Sequence, residues 1–244
     1  MIQPRFSLGL LPRAIMTVAM FAALVSLWPG TAIAAANAAA GTSTAVAGTA
    51  SAAPAYPQAS VVDSSSPSNL IETAANAMIG ELEAHRAQYR KDPTRLHRLV
   101  DDILLPHFDV DYAGRLVLGR NWTAATPEQR QRFIKAFYDS LLNNYGDALI
   151  DFTGDRIRVL HTPLDPTATN ATVRTEVKGS RGQRISVNYS MRRTEQGWKA
   201  WDVVIDGISY VKSFRDDFAS EIAQKGLEAV IQRMEAQAAS RKQS

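Results

Sequence analysis

The stretch from Gly197 to Phe218, GWKAWDVVIDGISYVKSFRDDF, constrains this chain more than any other. It leaves a Glu195-Gln196-Gly197 turn as an aromatic and β-branched run, which predicts a strand. Asp206-Gly207 breaks the run and supplies a turn. From Ser209 onward, Tyr210, Val211, Phe214 and Phe218 fall three and four apart among charged residues, the spacing of an amphipathic helix. A core strand is thus delivered directly into a helix that must pack back against it, and nothing in the stretch is a catalytic signature.

Residues 1–34 read as an export signal. Arg5 and Arg13 form a positive start, Ala14 to Leu27 is uncharged and apolar, and Ala32-Ile33-Ala34 closes the segment as a cleavage pattern. The apolar run is shorter than the roughly 20 residues a bilayer requires, which argues against a membrane anchor. With cleavage near Ala34 the mature chain belongs in the periplasm. There is no cysteine, hence no disulfide framework and no thiolate chemistry. Cleavage also removes two of the 27 basic residues, leaving 25 against 24 acidic ones. The precursor's pI of 9.2 therefore carries little weight as a sign of nucleic-acid binding. Residues 35–67 are mostly Ala, Ser, Thr, Gly and Pro with one charge, Asp63, and are expected to be a disordered tether.

The folded domain is expected over residues 68–240, with a helical part to about residue 125 and a helix-plus-sheet part from 126. Ser66-Pro67 and Asp92-Pro93 are helix starts. A short helix fits Val110 to Leu118. Thr126-Pro127-Glu128-Gln129 is a capping box opening the longest helix, which carries Phe133, Phe137, Leu141 and Tyr145. The period then changes from 3.6 to 2. Ile157 and Val159 begin a strand, Val173, Thr175 and Val177 alternate, and Ile185, Val187, Tyr189 and Met191 follow after a Gly179–Gly182 turn. The pattern predicts an α+β fold: an antiparallel meander with one apolar face covered by helices, shaped so that an apolar hollow can remain between them.

Several chemical patterns fall short. His97 and Asp101 have helical ligand spacing, but no HExxH motif is present and Pro106 interrupts the shared face, so no metal site is expected. Gly114 to Gly119 has the spacing of a phosphate loop without its Lys and hydroxyl. No GxSxG occurs. Asp202 and Asp206 lie four apart, on one side of a strand, where a salt bridge or turn cap is a commoner role than acid–base catalysis. Arg181, Arg184, Arg192 and Arg193 gather at one hairpin, either as a solvated, aggregation-resistant sheet edge or as a docking patch.

An ordered set of segments adds what periodicity cannot. Tyr112 to Arg120 (YAGRLVLGR), Trp122 to Arg130 (WTAATPEQR), Phe133 to Phe137 (FIKAF) and Gly197 to Ser209 resemble the MlaC, or toluene-tolerance, family over roughly residues 70–237. The resemblance implies an NTF2-like α+β fold with a small helical subdomain and a deep apolar pocket. It implies a diacyl phospholipid as cargo, with acyl chains inside and headgroup outside, and neither cofactor nor catalysis. The implied partners are an outer-membrane lipoprotein complex and an inner-membrane ABC transporter with an MCE-domain subunit, served by a monomer. Candidate pocket residues are Tyr112 and Leu116; Phe133, Phe137, Leu141 and Tyr145; Val173, Val177, Ile185, Val187 and Tyr189; and Val203, Ile205, Ile208 and Val211. Each sheet position among them fits a pocket wall or ordinary core equally. Arg181 and Arg184 are the candidate docking residues. The alternatives are a periplasmic enzyme with an NTF2-like cavity, or an adaptor whose apolar face is filled by its own side chains. The long Ala/Ser-rich tether is a departure from the family pattern.

Overall fold

The computed structural model describes residues 62–150, 157–161, 163–179 and 182–241. The expected signal segment, tether residues 35–61 and Arg181 lie outside them. Helix α1 (Pro67–Lys91) starts where Ser66 accepts from the Asn69 N–H at 3.1 Å, with proline in the first turn. Asp92 repeats the device for α2 (Pro93–Ile103), accepting from Thr94 N at 3.0 Å. A 3₁₀ turn, Leu105–His107, accommodates Pro106. Asp109 caps α3 (Val110–Leu118), and α4 (Asn121–Ala124) is a single turn. The capping box forms as expected, with Thr126 Oγ1 and Gln129 Oε1 each accepting from the other's backbone N–H at 3.2 Å. It opens α5 (Pro127–Ile150).

Strands β1 (Ile157–Leu160), β2 (Asn170–Lys178), β3 (Arg184–Thr194), β4 (Gly197–Ile205) and β5 (Ile208–Ser209) form one antiparallel sheet in chain order. Val173 lies opposite Tyr189, Tyr189 opposite Val203, and Val187 opposite Ile205, so these buried residues share one face. The alternation slips in β4. Ser190 faces Asp202 while Met191 faces Ala200, leaving Trp201 as the extra residue of a bulge. The α2–α3 connector is fastened at this point. Phe108 bridges Ala200, and Asp109 N donates to Ala200 O at 2.7 Å.

The expected strand-to-helix stretch forms as β4, β5 and α6 (Tyr210–Lys225). Gly226, at φ +80°, ends α6 and lets α7 (Leu227–Arg241) fold back along α5. Only the first of these two helices is expected from the sequence periodicity. The folded part also begins earlier than residue 68. Val62 packs against the core, and Asp63 accepts from Ser65 N and Asn69 Nδ2 while its own N–H donates to Thr73 Oγ1 at 2.9 Å. The last residues assigned to the tether thus brace the start of α1.

Packing divides the interior into two clusters. The first joins α1, α2, the sheet and the C-terminal part of α5 through residues such as Leu70, Met78, Leu96, Leu149, Val187 and Ile205. The second joins α3, the N-terminal part of α5, α6 and α7 around Phe133, Phe137, Phe218 and Ile231. Domains of this size usually pack around one contiguous core. Here α5 runs through both clusters, and the space between them is not filled by side chains.

Candidate functional site: an apolar cavity between two cores

The unfilled space is a cavity of about 1200 Å³, part of it open to solvent. Leu70, Ile71 and Ala74 of α1 form one wall, and Val100, Leu104, Leu105 and Phe108 of α2 and its connector form the next. Val110 and Ala113 enter from α3, and Ile134, Phe137, Tyr138, Leu141 and Tyr145 line it along α5. Tyr189 of β3 and Tyr210, Val211 and Phe214 of α6 complete the circuit. The bulge contributes four consecutive residues, Ala200 to Val203, where a regular strand offers alternate ones. A hollow of this size is consistent with a fold that accepts an apolar occupant.

Polar groups in the lining are mostly engaged. Asp202, 4% exposed, accepts from Ser209 Oγ at 2.6 Å and from Val211 N at 2.9 Å, holding the first turn of α6. Asp206 sits at positive φ in the turn and accepts from Ser186 N at 3.1 Å. The two aspartates are thus turn and helix caps. Tyr138 donates to Asp101 on α2, and burial followed by that carboxylate pushes its phenol up; burial alone does the same to Tyr189. His107 is held below the ordinary histidine value, first by burial and then by Lys199.

Six of the sequence-derived candidates line this cavity: Phe137, Leu141, Tyr145, Tyr189, Val203 and Val211. Val173, Val177, Ile185, Val187 and Ile205 instead lie in the first core cluster, because α1 packs directly over β1 and β2 and fills the space above them. Phe133 is fully buried behind the wall, stacked on Phe137 at 5.9 Å and edge-on to Phe218 at 5.1 Å. Tyr112 sits outside it, between the Trp201 ring at 5.6 Å and the Arg192 guanidinium at 4.3 Å. Leu116 is half-buried on α3 without reaching the cavity, and Ile208 is 43% exposed on the two-residue β5. Arg184 is exposed and paired with Glu176 at 3.3 Å.

The glycines of GRLVLG have a packing role. A Cβ on Gly114 would stand 2.6 Å from Ile134 Cγ1, so glycine lets α3 approach α5, while Gly119 ends α3 at φ +53°. His97 and Asp101 join no cluster able to hold a metal ion among the described residues. The walls from α1, α2 and the connector were not separable from ordinary core by periodicity. The one local signal is Leu104-Leu105 and Phe108 around Pro106, apolar residues where no regular element can bury them along a single face.

Fold and cavity together define a class: an α+β protein whose helices and antiparallel sheet enclose an apolar hollow. Within that class the chain belongs to the MlaC protein family, whose model matches residues 72–236. It is 30% identical over 166 residues to the toluene tolerance protein ttg2D of Pseudomonas putida, covering 68% of this chain and 77% of that one. It is 24% identical over 173 residues to the intermembrane phospholipid transport system binding protein MlaC of Haemophilus influenzae, covering 70% and 81%. A phospholipid-binding protein from Ralstonia solanacearum, solved with a phospholipid bound, shares the fold at a TM-score of 0.62. It is 24% identical, with 70% of this chain and 95% of that one covered.

Proposed function

We propose that this protein is a soluble periplasmic phospholipid carrier that holds acyl chains in the apolar cavity and leaves the headgroup at its mouth. It would move lipid between an outer-membrane lipoprotein complex and an inner-membrane ABC transporter bearing an MCE-domain subunit, acting as a monomer after removal of residues 1–34. The observation that carries this reading is the apolar cavity left between two separately packed cores. The relatives, a phospholipid transport system binding protein and a protein solved with a phospholipid bound, support the same cargo. An adaptor would have filled the hollow with its own side chains. An enzyme would need a set of acid–base groups aimed into the hollow, whereas the one carboxylate among its described lining residues, Asp202, already accepts a hydrogen bond on each oxygen. Among the described residues no helix is long and apolar enough to cross a membrane.

Binding draws on about 0.8 kcal/mol per buried methylene. Two long chains nominally reach roughly 20 kcal/mol, close to the ceiling of non-covalent affinity. Release therefore requires a partner or a deformation of the cavity. Mass spectrometry of an organic extract from the protein, purified from the periplasm without detergent, tests the reading. Near-stoichiometric phospholipid is expected; a lipid-free extract would overturn the carrier function.

A further inference from the structure

Two polar side chains among the described residues of the cavity lining are almost fully buried, Asp202 at 4% exposed and Tyr189 at 5%. Asp202 accepts on both its oxygens, whereas the Tyr189 hydroxyl makes no hydrogen bond among the described residues. Tyr189 stands on β3, the middle strand of five, between Val173 and Val203 of the neighbouring strands. Held there, its ring cannot swing out to reach bulk water. Nor is the hydroxyl sealed inside the wall. Among the described residues only His85 Nδ1, on α1, is a fully enclosed side-chain polar atom without a hydrogen bond, so the Tyr189 hydroxyl opens on the hollow. Burial keeps the phenol protonated, and what it offers the hollow is a hydrogen-bond donor.

A buried tyrosine normally finds a partner for its hydroxyl, and an unpaired donor costs free energy that a phenylalanine would avoid. An acceptor carried by the occupant removes that cost. In a diacyl phospholipid held with chains inside and headgroup outside, the hydrocarbon offers no acceptor. The ester carbonyls at the head of the two chains are the acceptors that enter an apolar hollow with them. We infer that the Tyr189 hydroxyl donates one hydrogen bond to an acyl ester carbonyl of the bound lipid. This assignment rests on the carrier reading above and adds a selectivity to it. The protein distinguishes ester-linked chains from ether-linked chains of the same length, which apolar packing alone cannot do. One donor in an otherwise apolar lining is enough, and it leaves the headgroup free to vary.

Lipid-free mature protein, wild type and Tyr189→Phe, is equilibrated with vesicles of equal parts diester and diether phosphatidylglycerol with chains of the same length. The protein is re-isolated and its lipid quantified by mass spectrometry. Tyr189→Phe should lower the ester-to-ether ratio of the recovered lipid roughly fivefold, the worth of one neutral hydrogen bond. Delipidated Tyr189→Phe should melt at or above the wild type, since the hydroxyl it loses has no protein partner. Infrared spectra of the bound diester lipid should show a hydrogen-bonded carbonyl band in the wild type that the variant lacks. Uptake of both lipids with the ratio unchanged overturns the assignment and leaves the carrier intact, as does a carbonyl band that persists in the variant. A clear fall in the melting temperature of the delipidated variant would mark a structural partner for the hydroxyl and also refute the proposal. Wild type that takes up neither lipid overturns the carrier itself.

Discussion

Placing a tryptophan at Leu141 and, separately, at Val187 distinguishes a cavity wall from a packed core on the same apolar scaffold. Val187 is 1% exposed, lies opposite Ile205 in the sheet, and belongs to the first core cluster. Enlarging it forces neighbours off their rotamers at a cost of about 1–3 kcal/mol. For a domain of this size each kcal/mol lowers Tm by about 2–4 °C, so the loss is about 2–12 °C. Leu141 is half-buried and lines the hollow, so an indole there can extend into space that side chains leave unfilled. The delipidated Leu141→Trp protein should melt within about 2 °C of wild type. Its lipid must now overlap the indole, and the same 1–3 kcal/mol falls on binding, weakening it about 5- to 150-fold. Calorimetry must use delipidated protein, because bound ligand raises Tm by mass action. Exchange from vesicles then measures binding. If delipidated Leu141→Trp is destabilised as much as Val187→Trp, or keeps full affinity, the cavity is not where lipid sits.

Gly114→Ala should lower stability by about 1–3 kcal/mol, because its new methyl would stand 2.6 Å from Ile134 Cγ1; urea melts measure it, and Ile134→Ala added to it should recover part of the loss. Asp202→Asn should cost about 1–3 kcal/mol, since the amide can accept one of the two bonds at most and α6 loses its charged cap. Arg132 bridges α7 to α5 through Glu228 and Glu235, holding both carboxyls below the ordinary 4.5 by hydrogen bonding. Their contribution is complete above that value and is lost as pH falls through the lower folded values, so α7 amides should exchange faster below about pH 4. Arg132→Met should flatten that acid dependence, and an unchanged pH profile would contradict the assignment.

The parts of the fold that follow from short-range chemistry are readable in the residues themselves. The caps at Ser66, Asp92 and Thr126 and the alternation of Val173 to Met191 need nothing beyond their neighbours in sequence. The cavity is different in kind, because it depends on where packing fails. Val187 and Tyr189 have the same alternation and similar burial, yet α1 fills the space above the first and leaves the second facing the hollow. Ala200 to Val203 reach it together through a bulge that the run KAWDVV does not announce. The setting of the connector arises from Phe108 crossing to Ala200, a contact between segments more than ninety residues apart.

The division of the interior into two clusters has a mechanical consequence. Pressure favours whichever state has less void, and the volume lost on unfolding scales with the internal space eliminated. Emptied of cargo, this protein is a pair of dense cores with a soft gap between them, and compression should act on that gap first. The lipid is then a structural filler as well as freight: loading it should make the molecule stiffer and more resistant to hydrostatic unfolding. A partner that pries α5 away from either core would soften the molecule at the point where the cargo is held.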